Sequence, residues 1–156
     1  MLRKSLILLP FCTALVATGA LAQDLTSVGV VRAATGFIRD SLPPGAIVID
    51  SKKLGANSAV ADLIAKEMGA TRGLSSELVR CEPERPDRLR ACTIQNSATL
   101  LMFSQPVIRD KSAEITVYWI FQVKPNQIAG RSFKLALGRD AGDKWKVERV
   151  LERGAS

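Results

Sequence analysis

The side chains that could carry acid–base chemistry are scattered along this chain. The 156 residues include no histidine, which excludes a Ser/His/Asp triad, a Cys/His pair and a histidine-ligated metal. Proton transfer would fall to Asp, Glu, Tyr or Lys, and Asp50, Asp62 and Tyr118 are the candidate pocket residues. Trp119, next to Tyr118, is a fourth candidate because it could stack a ligand. Each of the four could equally be a surface charge or a packed core group.

The first 22 residues have the pattern of a cleavable export signal. Arg3 and Lys4 precede an apolar stretch, and small residues at 20–22 provide a cleavage site. The pattern predicts a signal peptide over 1–22 and one exported domain over 23–156, periplasmic or secreted. A retained anchor is the alternative, but a span needs about 20 apolar residues and polar residues dilute this stretch. We therefore expect no transmembrane anchor after processing.

The exported part of the chain is moderately basic. Removing the signal takes away two of the 22 cationic side chains and none of the 15 acidic ones, so the formal net charge falls from +7 to +5. This balance favours contact with an anionic surface such as phospholipid headgroups or lipopolysaccharide. Charges spread over an ordinary solvated surface explain it equally well, and no pattern indicates a specific nucleic-acid site.

Two cysteines, Cys81 and Cys92, bracket a polar segment that contains two prolines. In an exported chain this arrangement predicts a disulfide, which would stabilise the fold by about 3 kcal/mol in the chain-entropy account. The alternative is a redox-active pair, but the CxxC spacing that lowers a thiol pKa is absent. Two cysteines are also too few for a structural zinc site, and we expect neither a metal nor a cofactor.

The same loop is the most cationic segment of the chain, with four arginines at Arg80, Arg85, Arg88 and Arg90. Guanidinium groups match the geometry of phosphate and carboxylate, so one hypothesis is an anion-binding loop held at its base by the disulfide. Three acidic residues are interleaved with the arginines. If they neutralise the arginines locally, the loop is only a solvated excursion.

Hydrophobic periodicity places helices in the first half of the chain and strands in the second. Apolar residues at three- and four-residue steps predict helices over 24–42 and 58–68, with a short strand over 46–50 between them. Alternation over 113–124, with one face apolar throughout and the other mixed, predicts a strand, and shorter alternating runs follow it. The predicted fold is α+β, with two N-terminal helices packed on an antiparallel meander of about four strands.

Near the end of the chain, the segment Gly142-Asp143-Lys144-Trp145-Lys146-Val147 has the pattern of a hairpin that leads into a last strand. With the order of helix, helix and antiparallel sheet, this hairpin resembles the nuclear-transport-factor-2-like or cystatin-like superfamily over residues 24–151. The resemblance implies a curved sheet beside the helices, in a group that contains isomerases, dehydratases and non-catalytic binding modules. Enzymes of that group use Asp, His or Tyr in a conical pocket, and this chain matches none of their catalytic positions.

Three functions are consistent with these patterns. The leading hypothesis is a non-enzymatic exported module that binds a protein or a small ligand through the open face or mouth of the sheet. One alternative is a small isomerase-like or dehydratase-like enzyme that uses Asp50, Asp62 or Tyr118. The other is an anion or envelope-surface binder that acts through the arginine loop. A deep pocket enclosing several ionisable groups would favour the enzyme, and a filled interior would favour the binding module.

Overall fold

The computed structural model describes residues 15–50, 52, 58–83 and 91–156. In these residues two helices pack on one face of a seven-stranded sheet, and a two-stranded ribbon packs on the other face. The α+β class is therefore confirmed. The prediction of about four antiparallel strands is wrong in detail, because the sheet is mixed and two short parallel strands extend one edge.

Helix α1 spans Leu15–Ile38, and a 3₁₀ turn, Arg39–Ser41, follows it. Val31, Ala34 and Ile38 are fully buried and recur at three- and four-residue steps, so they form the stripe that packs on the sheet. Compared with these observed bounds, the helix predicted over 24–42 begins after the true start at Leu15 and ends beyond the true end at Ile38. None of the described helices is long and apolar enough to cross a membrane.

A parallel unit follows, made of β1 (Ile47–Asp50), α2 (Ser58–Met68) and β2 (Thr71–Gly73). The bounds of α2 agree with the prediction. Strand β1 pairs in parallel with β2 on one side and with β5 (Thr99–Phe103) on the other. Every residue of β5 is buried, as expected for a strand covered on both faces. Such a run carries no alternation, so periodicity gave no sign of its parallel neighbour.

The rest of the sheet is the predicted antiparallel meander. Strand β5 pairs with β7 (Ser112–Lys124), β7 with β8 (Gln127–Arg139), and β8 with β9 (Trp145–Ala155). The short β6 (Val107–Arg109) forms a hairpin with β7. The outer side of β9 pairs with no described strand, and two bulges together with exposed charges on β9 disfavour edge-to-edge association.

Alternation along β7 separates the two faces of the sheet. The odd-numbered residues from Ala113 to Trp119 are buried against the helices, whereas the even-numbered residues turn to the opposite face, called here the open face. Large side chains fill the space between helices and sheet, and Trp119, Phe103 and Ile64 are each less than 2% exposed. The helix-side interior is thus a packed core.

The ribbon on the open face begins with α3 (Ser75–Leu78), followed by β3 (Val79–Cys81) and β4 (Cys92–Ile94). Cys81 and Cys92 are opposite each other across the ribbon, with a Cα–Cα distance of 4.0 Å, and form a disulfide. The backbone N–H of Ile94 donates to Oε1 of Gln122 at 2.8 Å, which ties the ribbon to β7. The disulfide pair is compatible with an extracellular location.

Candidate functional site

An open groove of about 400 Å³ lies on the open face of the sheet, next to the ribbon. Four neighbouring strands, β5, β7, β8 and β9, and the start of α3 supply its walls, and we call it the open-face groove. The side chains that the alternation of the strands directs toward it, together with two glycines, are Met102, Tyr118, Ile120, Gly130, Ser132, Gly154 and Ser156, and Ser75 borders it from α3.

Strand register brings these residues into adjacent rows. Tyr118 of β7 pairs with Ser132 of β8, and Ser132 pairs with Gly154 of β9. Residues that are directly opposite on neighbouring strands share a face of the sheet. In the next row Ile120 pairs with Gly130. In these two rows the aromatic and apolar side chains therefore lie on β7. The floor of the groove beside them is formed by glycine and serine residues, which are small.

The absence of a side chain at Gly130 and Gly154 leaves the space in which the neighbouring serine hydroxyls lie. A Cβ added to Gly154 would lie 2.5 Å from Oγ of Ser132, and one added to Gly130 would lie 2.6 Å from Oγ of Ser156. Real Cβ atoms essentially never approach a neighbour this closely. The serine side chains thus lie across the glycine backbone, and a larger residue at either glycine would displace a hydroxyl and raise the floor.

The hydroxyl groups of the open-face groove are available to a ligand. Within the described part of the chain, Ser75, Ser132, Ser156 and Tyr118 form no side-chain hydrogen bond to another protein group. Tyr118 is 45% exposed, so its ring also presents apolar surface to solvent. A hydroxyl can both donate and accept a hydrogen bond, and the groove offers four such groups beside one aromatic ring.

Charged side chains surround the groove without entering it. Lys134, in the row after Ser132, lies between Glu114 and Glu152, with N–O distances of 3.4 and 3.9 Å. The backbone of Arg131 borders the groove, but its guanidinium lies over the ring of Phe121 on the helix side of the sheet. Within the described residues, the side chains directed into the groove are therefore polar or apolar, and none of them is charged.

The structure does not bring the four predicted pocket residues together. Asp50 is 3% exposed and its carboxylate accepts the backbone N–H groups of Ser75 and Lys52 at 2.9 and 3.0 Å. Asp62 is exposed on α2 and pairs with Arg72 at 2.7 Å. Neither carboxylate lines the open-face groove. Tyr118 does line the groove, and its side chain is 45% exposed there.

Trp119 belongs to the core. It is fully buried on the helix side of the sheet and meets Phe133 edge-to-face, with ring centroids 5.2 Å apart. Its indole N–H has no hydrogen-bond partner in the described residues. The side chain does not face solvent, so the structure gives Trp119 a packing role and not a ligand-stacking one.

The arginine loop falls mostly outside the described residues, which exclude Arg85, Arg88 and Arg90. Arg80 is exposed on β3, opposite Thr93 of β4. Among the described residues, no group of three or more His, Cys, Asp or Glu side chains is placed to hold a metal ion. The hypothesis of an anion-binding loop therefore stays a prediction.

A second cleft, of about 640 Å³, lies between α1 and the β8–β9 hairpin. Its two arginines are held by carboxylates. Arg32 donates to Glu67 at 2.5 and 2.9 Å, and Arg139 donates to Asp143 at 2.7 and 2.9 Å. The hydrogen bond from Arg32, with the attraction between the two charges, lowers the pKa of Glu67. This cleft is a joint between helix and sheet in which both arginines have a carboxylate partner.

Sequence reasoning missed the floor of the open-face groove, although a signal for it is present. Residues 130–132 read Gly-Arg-Ser and residues 154–156 read Gly-Ala-Ser. Positions two apart in a strand share a face, so each segment places one glycine and one serine on the same side. The repeated Gly-x-Ser pattern in two strands marks a depressed, hydroxyl-bearing surface, provided that the two segments are neighbours.

Comparison of the chain with protein-family models, with curated proteins and with solved structures gives no match. The resemblance to the nuclear-transport-factor-2-like or cystatin-like superfamily accordingly stays a prediction. A functional assignment has to come from the geometry of the site.

Proposed function

We propose that this protein is an exported, non-enzymatic binding module whose open-face groove takes a neutral, hydroxyl-rich ligand of the saccharide class. The observation that carries the proposal is the set of four unpaired hydroxyls around one exposed aromatic ring. A volume of about 400 Å³ is within the usual range for small-molecule sites.

The chemistry of the groove favours a neutral ligand over a charged one. Hydroxyls of Ser132, Ser156 and Tyr118 can exchange donor and acceptor roles with the hydroxyls of a sugar. The Tyr118 ring and the apolar side chain of Ile120 offer surface to the C–H face of a pyranose ring. A charged ligand would lose hydration without meeting an oppositely charged side chain among those directed into the groove.

Export rests on two features that support each other. The signal-like pattern of residues 1–22 and the disulfide between Cys81 and Cys92 are both typical of a protein that folds in an oxidising compartment. We therefore propose that the mature domain acts in the periplasm or outside the cell.

The carboxylates that could have supported catalysis have structural contacts instead. Asp50 binds backbone N–H groups and Asp62 pairs with Arg72, and neither reaches the groove that contains Tyr118. General acid–base catalysis needs a titratable group within hydrogen-bond reach of the reacting atom. These contacts support a binding role over an enzymatic one.

Titration calorimetry with neutral oligosaccharides of glucose and of N-acetylglucosamine tests the proposal, and carboxylated oligosaccharides of the same length serve for comparison. We expect saturable binding of a neutral member that the carboxylated form does not match. Tyr118→Ala should weaken this binding at least tenfold. Val123→Ala, which truncates an exposed residue of β7 outside the groove lining, should leave it unchanged.

A second variant guards against a general effect on folding. Gly154→Val would displace the Ser132 hydroxyl and raise the floor, so it should also abolish binding while the circular dichroism spectrum stays that of the parent protein. If no neutral saccharide binds the parent protein, or if Tyr118→Ala binds as well as the parent does, the proposed function is wrong.

A further inference from the structure

Two arginines lie on phenyl rings at one end of the helix-facing side of the sheet. The guanidinium carbon of Arg131 is 5.8 Å from the ring centroid of Phe121, and that of Arg153 is 5.5 Å from the centroid of Phe133. Both arginines are exposed. A cation over a ring face is attracted by the ring quadrupole, so each guanidinium has a preferred position at the surface.

The two guanidinium groups belong to the same face of neighbouring strands. Arg153 of β9 pairs with Phe133 of β8, and Arg131 lies two residues before Phe133. Such diagonal positions are separated by about 7–8 Å, a distance at which two like charges repel each other. The register thus concentrates positive charge beside the aromatic rings.

In the part of the chain that the structure describes, no acidic side chain balances this charge. Within the described residues, Arg131 and Arg153 form no ion pair, whereas Arg32, Arg72 and Arg139 each have a carboxylate partner. An exposed pair of cations without counter-charges is a complementary surface for anions. The Arg131–Arg153 pair differs in this respect from the two arginines of the cleft between α1 and the hairpin.

Exposed apolar side chains adjoin the two arginines. Phe37, near the end of α1, is 45% exposed and meets Phe133 edge-to-face at 6.3 Å. Val123, two residues after Phe121 along β7, is 49% exposed and lies where the register between β7 and β8 shifts. We call the combined area the arginine–phenylalanine surface; its members are Phe37, Phe121, Val123, Arg131, Phe133 and Arg153.

We propose that the arginine–phenylalanine surface docks the protein on a bilayer that contains anionic phospholipid. Arg131 and Arg153 bind lipid phosphates through their planar forks, and Phe37 and Val123 enter the headgroup region, where aromatic and apolar side chains beside cations are favoured. This surface faces away from the open-face groove, so membrane docking leaves that groove free and does not depend on the proposed function.

The geometry favours a lipid surface over single-stranded nucleic acid. Binding of an unpaired strand relies on free aromatic faces on which bases stack. Here a guanidinium covers one face of Phe121 and of Phe133, and Phe133 also meets the edges of Phe37 and Trp119. The exposed groups that remain are two guanidinium groups and the side chains of Phe37 and Val123. The guanidinium groups can bind the lipid phosphates, and the two apolar side chains can contact the acyl chains beneath them.

Vesicle flotation of the processed, oxidised domain tests this proposal. The probes are vesicles of phosphatidylcholine alone and vesicles with 30% phosphatidylglycerol, at low ionic strength. Each surface arginine contributes about fivefold to binding of an anionic bilayer, so Arg131→Gln with Arg153→Gln should weaken partitioning about thirtyfold. The matched control is Arg109→Gln with Arg149→Gln, which removes two exposed arginines elsewhere on the sheet and should weaken partitioning only a few fold.

Two more variants separate the contributions. Phe37→Ser should reduce the fraction bound at 0.5 M salt, where charge attraction is screened. Tyr118→Ala should bind vesicles as the parent protein does, which distinguishes docking from the groove. The proposal is overturned if both double variants lose the same affinity, if binding to phosphatidylcholine alone is as strong, or if a single-stranded oligonucleotide displaces the protein from the vesicles.

Discussion

Gly29 of α1 lies directly against the indole of Trp145, at the start of β9. A Cβ on Gly29 would be 2.7 Å from Cδ1 of the ring. On Trp145 the guanidinium carbon of Arg139 is 4.8 Å from the ring centroid, and Asp143 holds Arg139 through two hydrogen bonds. The ring cannot retreat without disturbing this stack, so the absence of a side chain at Gly29 sets how closely the helix approaches the hairpin.

Alanine at the two glycines of this part of α1 should have opposite effects on stability. Gly36 has nothing within 4 Å of an added Cβ, so Gly36→Ala should raise the free energy of unfolding by about 0.5–1 kcal/mol through helix propensity. Gly29→Ala gains the same propensity but creates an overlap of the kind that costs about 1–3 kcal/mol, and should destabilise. Urea unfolding of both variants measures the difference; equal stabilisation by the two alanines would show that the Trp145 contact is loose.

Removing the disulfide should loosen the ribbon on the open face. Cys81→Ala with Cys92→Ala should lower the free energy of unfolding by about 3 kcal/mol, the value for a closed loop of this size in the chain-entropy account. Guanidinium chloride unfolding with and without reductant measures the loss. Reductant should destabilise the parent protein and leave the double variant unchanged; a parent protein indifferent to reductant would contradict the structural role.

The bridge between α1 and α2 should give stability at neutral pH that disappears in acid. The folded-state pKa of Glu67 is lowered by its hydrogen bond from Arg32. The pair with Arg32 therefore contributes fully to the free energy of unfolding at a pH above the ordinary pKa of a glutamate. This contribution is lost as the pH falls through the lowered folded-state pKa of Glu67. Because the pair is partly exposed, Glu67→Gln should cost only about 0.5 kcal/mol at pH 7.

Thermal unfolding of Glu67→Gln and the parent protein between pH 2 and pH 7 measures this effect. The two stability curves should converge at the acid end. Glu77→Gln, at an exposed residue with no described ion pair, is the control and should follow the parent protein throughout. A constant difference between parent and Glu67→Gln across the whole range would rule out the charged pair as its source.

The two aspartates proposed from sequence as pocket residues should differ sharply when replaced. Asp50 is buried and satisfies backbone N–H groups, so Asp50→Ala should lower the free energy of unfolding by about 2–3 kcal/mol. Asp62 forms an exposed ion pair, so Asp62→Ala should cost less than about 1 kcal/mol. Amide hydrogen exchange at Ser75 reports the same contrast, because it should accelerate in Asp50→Ala alone. Equal effects of the two substitutions would refute the structural role of Asp50.

Local patterns predicted several elements well. Helix α2 agrees at both ends with the predicted 58–68, and β7 starts one residue before the predicted 113–124 and ends at the same residue. Both segments are amphipathic, so the side chains that each must bury are encoded at a fixed period within the segment itself. The pairing of Cys81 with Cys92 followed in the same way from two residues and the expected compartment.

Other features depend on contacts between segments that are distant in sequence. The buried runs of β1 and β5 show no alternation, so nothing local indicates that they pair in parallel. The start of α1 was also missed, because its first turns share their apolar residues with the export-signal pattern.

The sequence by itself determined the helices and strands with a clear period, the disulfide and the candidate residues, because each of these is written in local spacing. Only the tertiary structure decided which candidates meet. It placed Tyr118 on a groove and Asp50 under a backbone turn, and it aligned Gly130 with the serine at 156. Alternation assigns each strand residue to a face, but the hydrogen-bond register between strands, set by the whole packed sheet, decides its neighbours.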